Sequence, residues 1–165
     1  MPIYTRQGDK GKTSLPGIKH RVEKHHPLIE IYGIFDELVT TLNIINTHKT
    51  VPKSIKQLLT SAQKDIFSAG TQLFSRRTHI NVQTIQKLEQ QMDYLEAGMP
   101  KLNQFIISSK TASSAYCHLA RCICRRLERR LIAFHRKKPI HRSILAYMNR
   151  LSDWLFILAR KLDNG

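Results

Sequence analysis

"GDKGKTS", Gly8 to Ser14, decides between two folds. As a Walker A phosphate loop it would open a parallel α/β domain. Walker A places four residues between its first glycine and the Gly-Lys pair. Here two residues separate Gly8 from Gly11, and Arg6 stands where the first glycine belongs. A P-loop also needs a buried strand before it and a helix after it. "MPIYT" is a poor central strand, and Pro16-Gly17 blocks a helix after Ser14. The stretch is not a Walker A, yet it keeps phosphate chemistry. Its glycines let successive backbone N–H groups turn toward one point, an anion-binding concavity. Thr5, Thr13 and Ser14 add hydroxyls, and Arg6, Lys10 and Lys12 add charge.

Beyond residue 26 the pattern is helical throughout. Ile31, Ile34, Phe35, Leu38, Leu42 and Ile45 recur at three and four, with Pro27 suited to the first turn. A second helix opens near Pro52 and carries Ile55, Leu59, Ala62, Ile66 and Ala69. Asn81 caps a third, which Gly98 and Pro100 stop. A fourth runs from about Thr111 to Phe134, and a fifth starts near Pro139. No strand alternation is visible, and the first 26 residues read as a loop arm. Short connections make neighbouring helices antiparallel. The expectation is all-α: a five-helix bundle, 27–165, with an N-terminal nucleotide-binding arm, 1–26, in a single domain.

The 165 residues suffice for one domain with a core. No run approaches the ~20 apolar residues of a membrane span. The start lacks the charged-then-apolar order of a signal peptide, so the expected location is the cytoplasm. Cys117, Cys122 and Cys124 have neither metal-ligand nor disulfide spacing and read as reduced thiols. No protein metal cage is expected. The formal net charge of +15 favours anionic partners, against the plainer reading of a solvated basic surface.

"HLARCICRRLERRLIAF", His118 to Phe134, carries the second signal. At about 100° per residue, Tyr116, Ala120, Ile123, Cys124, Leu127, Leu131 and Phe134 share the core face. Arg121, Arg125 and Glu128 form a stripe beside it, in line with Cys117 and Ile132. Arg126, Arg129 and Arg130 lie further round, toward solvent. A charged stripe flanked by apolar residues points to a subunit contact or a ligand. Planar guanidinium groups suit phosphate because they donate two parallel hydrogen bonds. The alternative is an arginine-rich outer face.

"YTRQGDKGKTSL", "VEK" (Val22–Lys24), "YGIFDEL" (Tyr32–Leu38), "ARCICRRLERR" (Ala120–Arg130) and "YMNRLSDWLFILAR" (Tyr147–Arg160) occur in that order. Together they resemble the ATP:cob(I)alamin adenosyltransferases of the propanediol-utilisation type, over almost the whole chain. The resemblance implies a ferritin-like five-helix bundle that forms a homotrimer with active sites between subunits. It implies that ATP, with Mg2+, is held by Thr5, Arg6, Gln7, Gly8, Thr13, Ser14, Lys24, Arg125, Arg126, Leu127, Glu128, Arg129 and Asn149. It pairs Asp36 with Arg121 across the interface and makes Phe105 the aromatic that covers the lower face of the corrin.

The implied reaction is transfer of the 5′-deoxyadenosyl group of ATP to cob(I)alamin, with triphosphate leaving. A separate reductase would supply cobalt(I). Gln7 and Lys12 stand where the family commonly has threonine, and Ser108-Ser109-Lys110 where it has Pro-Gly-Gly. The alternatives are a non-catalytic corrinoid chaperone or sensor of the same family, and a basic helical nucleic-acid-binding protein. Aromatic residues make up only 7%, and no nucleic-acid-binding signature is visible, so nucleic acid is not the expected partner.

Overall fold

The structure, a computed structural model, describes residues 4, 6–74, 78–102 and 109–164. Within them lie five helices: α1 (Pro27–Thr47), α2 (Lys53–Gln72), α3 (Val82–Glu96), α4 (Ala112–Lys137) and α5 (Arg142–Asn164). Their ends follow local chemistry. Pro27 occupies the first turn of α1, where its missing N–H costs nothing, and His26 Nδ1 accepts from Leu28 N. Asn81 and Thr84 form a reciprocal capping box on α3. Gly98, at φ +80°, turns the chain away after α3, a conformation that favours glycine.

The arm differs from the expected loop. Lys12–Thr13 (β1) pairs antiparallel with Val22–Glu23 (β2). Four strand residues are too few to show alternation, so periodicity could not reveal them. Leu15 and Val22 are buried and tie this hairpin to the core. The α4–α5 boundaries also shift. Helix α4 runs past Phe134 to Lys137, helped by the cations Arg136 and Lys137, which suit the negative end of the helix dipole. Pro139 lies in the turn, and α5 begins at Arg142.

Helix α4 packs on both α5 and α1, while α2 covers α1 and α3 covers α5. Cross-helix bonds give the directions. Glu30 meets Arg130 and Glu37 meets Arg126, so α1 and α4 are antiparallel. Asp163, near the end of α5, accepts from Lys110 N and Thr111 N at the start of α4, which makes α4 and α5 antiparallel. Tyr32 reaches Gly70 and Val39 reaches Gln63, so α1 and α2 are antiparallel as well. Arg150 and Arg160 of α5 bond Glu89 and Glu96 of α3, which runs parallel to it. Lys87 Nζ closes the ring by donating to Ser61 Oγ of α2 at 2.9 Å.

The core runs the length of the bundle, with Trp154, Tyr147, Leu127, Leu131 and Leu38 all but removed from water. Each buried leucine there contributes about 1.5–3 kcal/mol. One polar side chain organises a corner of this core. Gln72 is 5% exposed, and its Oε1 accepts from His79 N at 2.9 Å and Ile80 N at 2.6 Å. Ser143 Oγ donates to Ile80 O at 2.6 Å, so the ends of α2, α3 and α5 meet here.

Gln72→Leu keeps the volume but leaves two N–H donors without a partner. The expected cost is about 1–3 kcal/mol, read as a lower urea midpoint with an unchanged slope. An unchanged midpoint would show that the corner is held by packing alone.

Candidate functional site

The apolar face of α4 is where its spacing places it: Ala120, Ile123, Cys124, Leu127 and Leu131 are buried between α1 and α5. Phe134 lies half-buried at its margin, whereas Tyr116, expected on this face, is exposed in the first turns of α4. Cys117, expected in the charged stripe, is instead fully buried, because it stands seven residues before Cys124, about 20° from it around the helix. Burial, with Asp163 nearby, pushes its thiol up to about 12. Burial raises the Cys124 thiol as well, and its Sγ donates to Met148 O. Both are held as neutral thiols, and Cys122 is exposed.

Burying that face sorts the charged residues of α4 into two flanks. On the α5 side, Glu128 Oε1 accepts from Asn149 Nδ2 at 3.0 Å. Thus two residues far apart in the sequence share one groove. Arg125, one turn earlier on α4, is exposed beside them. It lines a cleft of about 280 Å³ with Arg121, Ser152, Asp153, Phe156 and Arg160. Arg121 lies 5.9 Å above the Phe156 ring, a cation–π distance, and its Nε is buried with no partner among the described residues. His118 tilts against the same ring, and burial, then Arg121, holds its pKa below the usual value. A neutral imidazole therefore adds no second cation beside Arg121.

On the α1 side, Arg126 pairs with Glu37, and Arg130 Nη2 with Glu30 Oε1 at 2.9 Å. These intramolecular pairs were not foreseen. A helical wheel shows which residues share a face but not which helix meets it. Arg129 makes no ion pair among the described residues. Leu127, proposed at the ligand, is fully buried, so only its backbone can meet one.

The arm forms a second group. Gly11, at φ +76°, closes a turn in which its N–H donates to Gly8 O. The Lys24 backbone N–H donates to Gly11 O at 2.8 Å, and a Cβ at Gly8 would lie 3.3 Å from Lys24 Nζ. Glycine at position 8 thus lets that ammonium lie against the turn. Arg6 has a positive φ of 56°, unusual for a residue with a Cβ. Arg6, Gln7 and Ser14 are exposed and Thr13 half-buried along the same hairpin. Among the described residues no hydrogen bond or ion pair joins this group to Arg125, Glu128 or Asn149. Thr5, Phe105 and Ser108 lie outside the described residues.

Asp36 is exposed and makes no ion pair among the described residues. It borders an apolar cavity of about 490 Å³ between α1, α2 and Pro16-Gly17, with Tyr32, Phe67 and Phe74. Tyr32 donates from its hydroxyl to Gly70 O at 2.5 Å and stacks on Phe74; burial raises its pKa. Arg121 borders the separate α4–α5 cleft, so Asp36 and Arg121 do not meet within one chain. Among the described residues no cluster of three His, Cys, Asp or Glu could hold a metal ion, and no helix is long and apolar enough to cross a membrane.

Known proteins share both the sequence and the architecture. The corrinoid adenosyltransferase of Citrobacter freundii is 39% identical over 96% of this chain and 93% of its own length. The corrinoid adenosyltransferase PduO of Salmonella typhimurium is 35% identical over 99% of this chain, which spans half of that longer protein. A variant of the PduO-type ATP:corrinoid adenosyltransferase of Lactobacillus reuteri, complexed with cobalamin and ATP, superposes with a TM-score of 0.90. It is 28% identical, over 99% of this chain and 94% of the other. Residues 3–162 match the cobalamin adenosyltransferase family, and the chain belongs to that family.

Proposed function

We propose that this protein transfers the 5′-deoxyadenosyl group of ATP to cobalt(I) of a corrinoid, releasing triphosphate. The observation that carries this reading furthest is the Asn149–Glu128 bond across the α4–α5 groove, with Arg125 beside it. Asn149 holds the Glu128 carboxylate in one orientation, as an acceptor for a ribose hydroxyl. Arg125 and Arg129 supply charge for phosphate. Arg126 is held by Glu37 on the α1 flank, on the other side of the helix from this groove. The arm hairpin supplies the rest: backbone N–H groups at Gln7 and Gly8, the hydroxyls of Thr5, Thr13 and Ser14, and the cations of Arg6 and Lys24. Mg2+ enters with ATP as part of the substrate.

The chemistry needs no protein nucleophile. The cobalt(I) electron pair attacks C5′, a cobalt–carbon bond forms, and the C5′–O bond breaks with its electrons passing to triphosphate. No proton moves. The protein must align the carbon with the metal and stabilise a polyanionic leaving group. A cationic groove without a catalytic triad suits that task.

Among the described residues the arm and the α4–α5 groove make no direct bond within one chain, which supports a site completed by a second subunit. In that reading the protein is a homotrimer, and Asp36 of one subunit meets Arg121 of the next. Phe105 covers the lower face of the corrin, and a separate reductase supplies cobalt(I). A cytoplasmic location fits such a partner. Lys110 is exposed at the start of α4, with its backbone N–H on Asp163, placed to reach an anionic ligand group.

Anaerobic addition of ATP to the protein with cobalamin reduced to cobalt(I) tests the reaction. The cobalt(I) absorption should decay to that of adenosylcobalamin only when protein and ATP are both present. Decay that needs no ATP, or none at all, would overturn the assignment.

Arg125→Ala removes hydrogen bonds to the ligand phosphates, and Asn149→Ala frees the Glu128 carboxylate that meets the ribose. Each should weaken ATP binding by roughly tenfold to a hundredfold with little change in Tm, as read by calorimetry. Unchanged binding in both would place ATP elsewhere.

Asp36→Ala leaves the partner's arginine without its carboxylate, at a cost of about 3–5 kcal/mol if the pair is buried in the trimer. Sedimentation should show smaller species and activity should fall with them. Exchanging the charges, Asp36→Arg with Arg121→Asp, should restore assembly. Full assembly of Asp36→Ala would exclude the pair.

A further inference from the structure

Where α4 begins, the start of α2 and the ends of α3 and α5 surround a cleft of about 570 Å³. That volume lies within the range of roughly 300–1,000 Å³ usual for small-molecule sites. Ile55 and Leu95 are buried in its walls, Leu162 is half-buried, and Tyr94 is exposed at its edge.

One face of the cleft is the N-terminus of α2, through Pro52, Ser54 and Ile55. The first bond of this helix runs from Lys56 N to Pro52 O. The N–H groups of Lys53, Ser54 and Ile55 therefore have no acceptor within the helix. Pro52 stands at the cap and offers no side-chain acceptor, and the first turn has no acidic residue. His26, Asn81 and Thr111 supply that acceptor to α1, α3 and α4. The positive end of a 20-residue helix is left without an anion.

A second feature points to a ligand. Ser113 lines the cleft and is 2% exposed, and its Oγ has no hydrogen-bond partner among the described residues. A buried hydroxyl is costly to leave unpaired. Lys161, half-buried, also lines the cleft and makes no ion pair among the described residues. Its place in the last turn of α5 suits the dipole of that helix, so it adds to the site rather than defining it. No acidic side chain is among the described residues that line the cleft. Asp163 nearby is already engaged with Lys110 N, Thr111 N and Ser114 Oγ.

We propose that this cleft binds a small organic carboxylate. Its charged group meets the N–H groups of α2, with Lys161 and Ser113 as further donors. Its apolar body lies on Ile55, Leu95, Leu162 and Tyr94. One helix end and one cation suit a single negative charge. Along α4, Glu128 stands about 22 Å beyond Ser113, at roughly 1.5 Å per residue, so this site is separate from the proposed ATP groove.

Fluorine NMR on the full chain tests it with three probes: para-fluorobenzoate, uncharged para-fluorobenzyl alcohol, and fluoroacetate, which lacks the ring. The benzoate should bind about tenfold more tightly than either of the others. Saturating ATP should leave its binding unchanged. Ser113→Ala and Lys161→Gln should each weaken it by about threefold to tenfold. Lys137→Gln, at the opposite end of α4, should change it by less than about twofold. Pro52→Asp gives α2 a carboxylate cap of its own. It should raise Tm and weaken the benzoate by about tenfold or more. Lys161→Gln alone gives the same reading if Ser113→Ala does not fold. No binding of the benzoate, equal binding of the three probes, or displacement by ATP would overturn the proposal. So would an equal effect of the two lysine variants, or unchanged binding in Pro52→Asp.

Discussion

Helix α4 has to bury one apolar face against two neighbours, α1 and α5, and the rest of the molecule depends on that constraint. Ala120, Cys124, Leu127 and Leu131 leave no freedom to rotate the helix without exposing leucine to water, at about 1.5–3 kcal/mol per side chain. With rotation fixed, each arginine has one destination. Arg126 and Arg130 fall on carboxylates of α1, while Arg121 and Arg125 fall along α5. An arginine-rich helix free to turn would be a solvated face. Locked in place, it becomes two flanks with different chemistry.

The α5 flank takes its chemistry from residues that α4 does not contain. Asn149 orients Glu128, and Phe156 underlies Arg121. Neutral His118 and the neutral buried thiols Cys117 and Cys124 leave the guanidinium groups as the local positive charge of the seam. Such a surface favours a ligand that gains negative charge as it reacts, and a departing triphosphate is one. The hairpin of the arm adds a second set of donors. Gly8 leaves room for the Lys24 ammonium, and Gly11, at φ +76°, takes the left-handed conformation that its turn requires.

Much of this was legible before any coordinates, because it depends on short-range rules. Pro27, Asn81, Thr111 and Gly98 mark helix ends through their own backbone or side-chain chemistry, and the apolar spacing of α1, α4 and α5 gives the buried faces. What was not legible depends on which elements meet. The Glu37–Arg126 and Glu30–Arg130 pairs join residues far apart in the sequence, the first 89 positions apart, through charges that a wheel assigns only to solvent. Gln72 looked like any polar residue at a helix end until Ile80 was seen folded back on it. The β1–β2 ladder is too short for periodicity to reveal. That "GDKGKTS" does not open a parallel α/β domain was legible because it rests on the spacing of Gly8 and Gly11, which is local.

The central claim is that this cationic groove releases triphosphate intact as C5′ passes to cobalt. Phosphorus-31 spectra of an anaerobic turnover, taken beside the absorption of the corrinoid, test it most directly. The expected result is one triphosphate for each adenosylcobalamin formed. Orthophosphate or pyrophosphate formed in step with ATP loss, without a cobalt–carbon product, would contradict it.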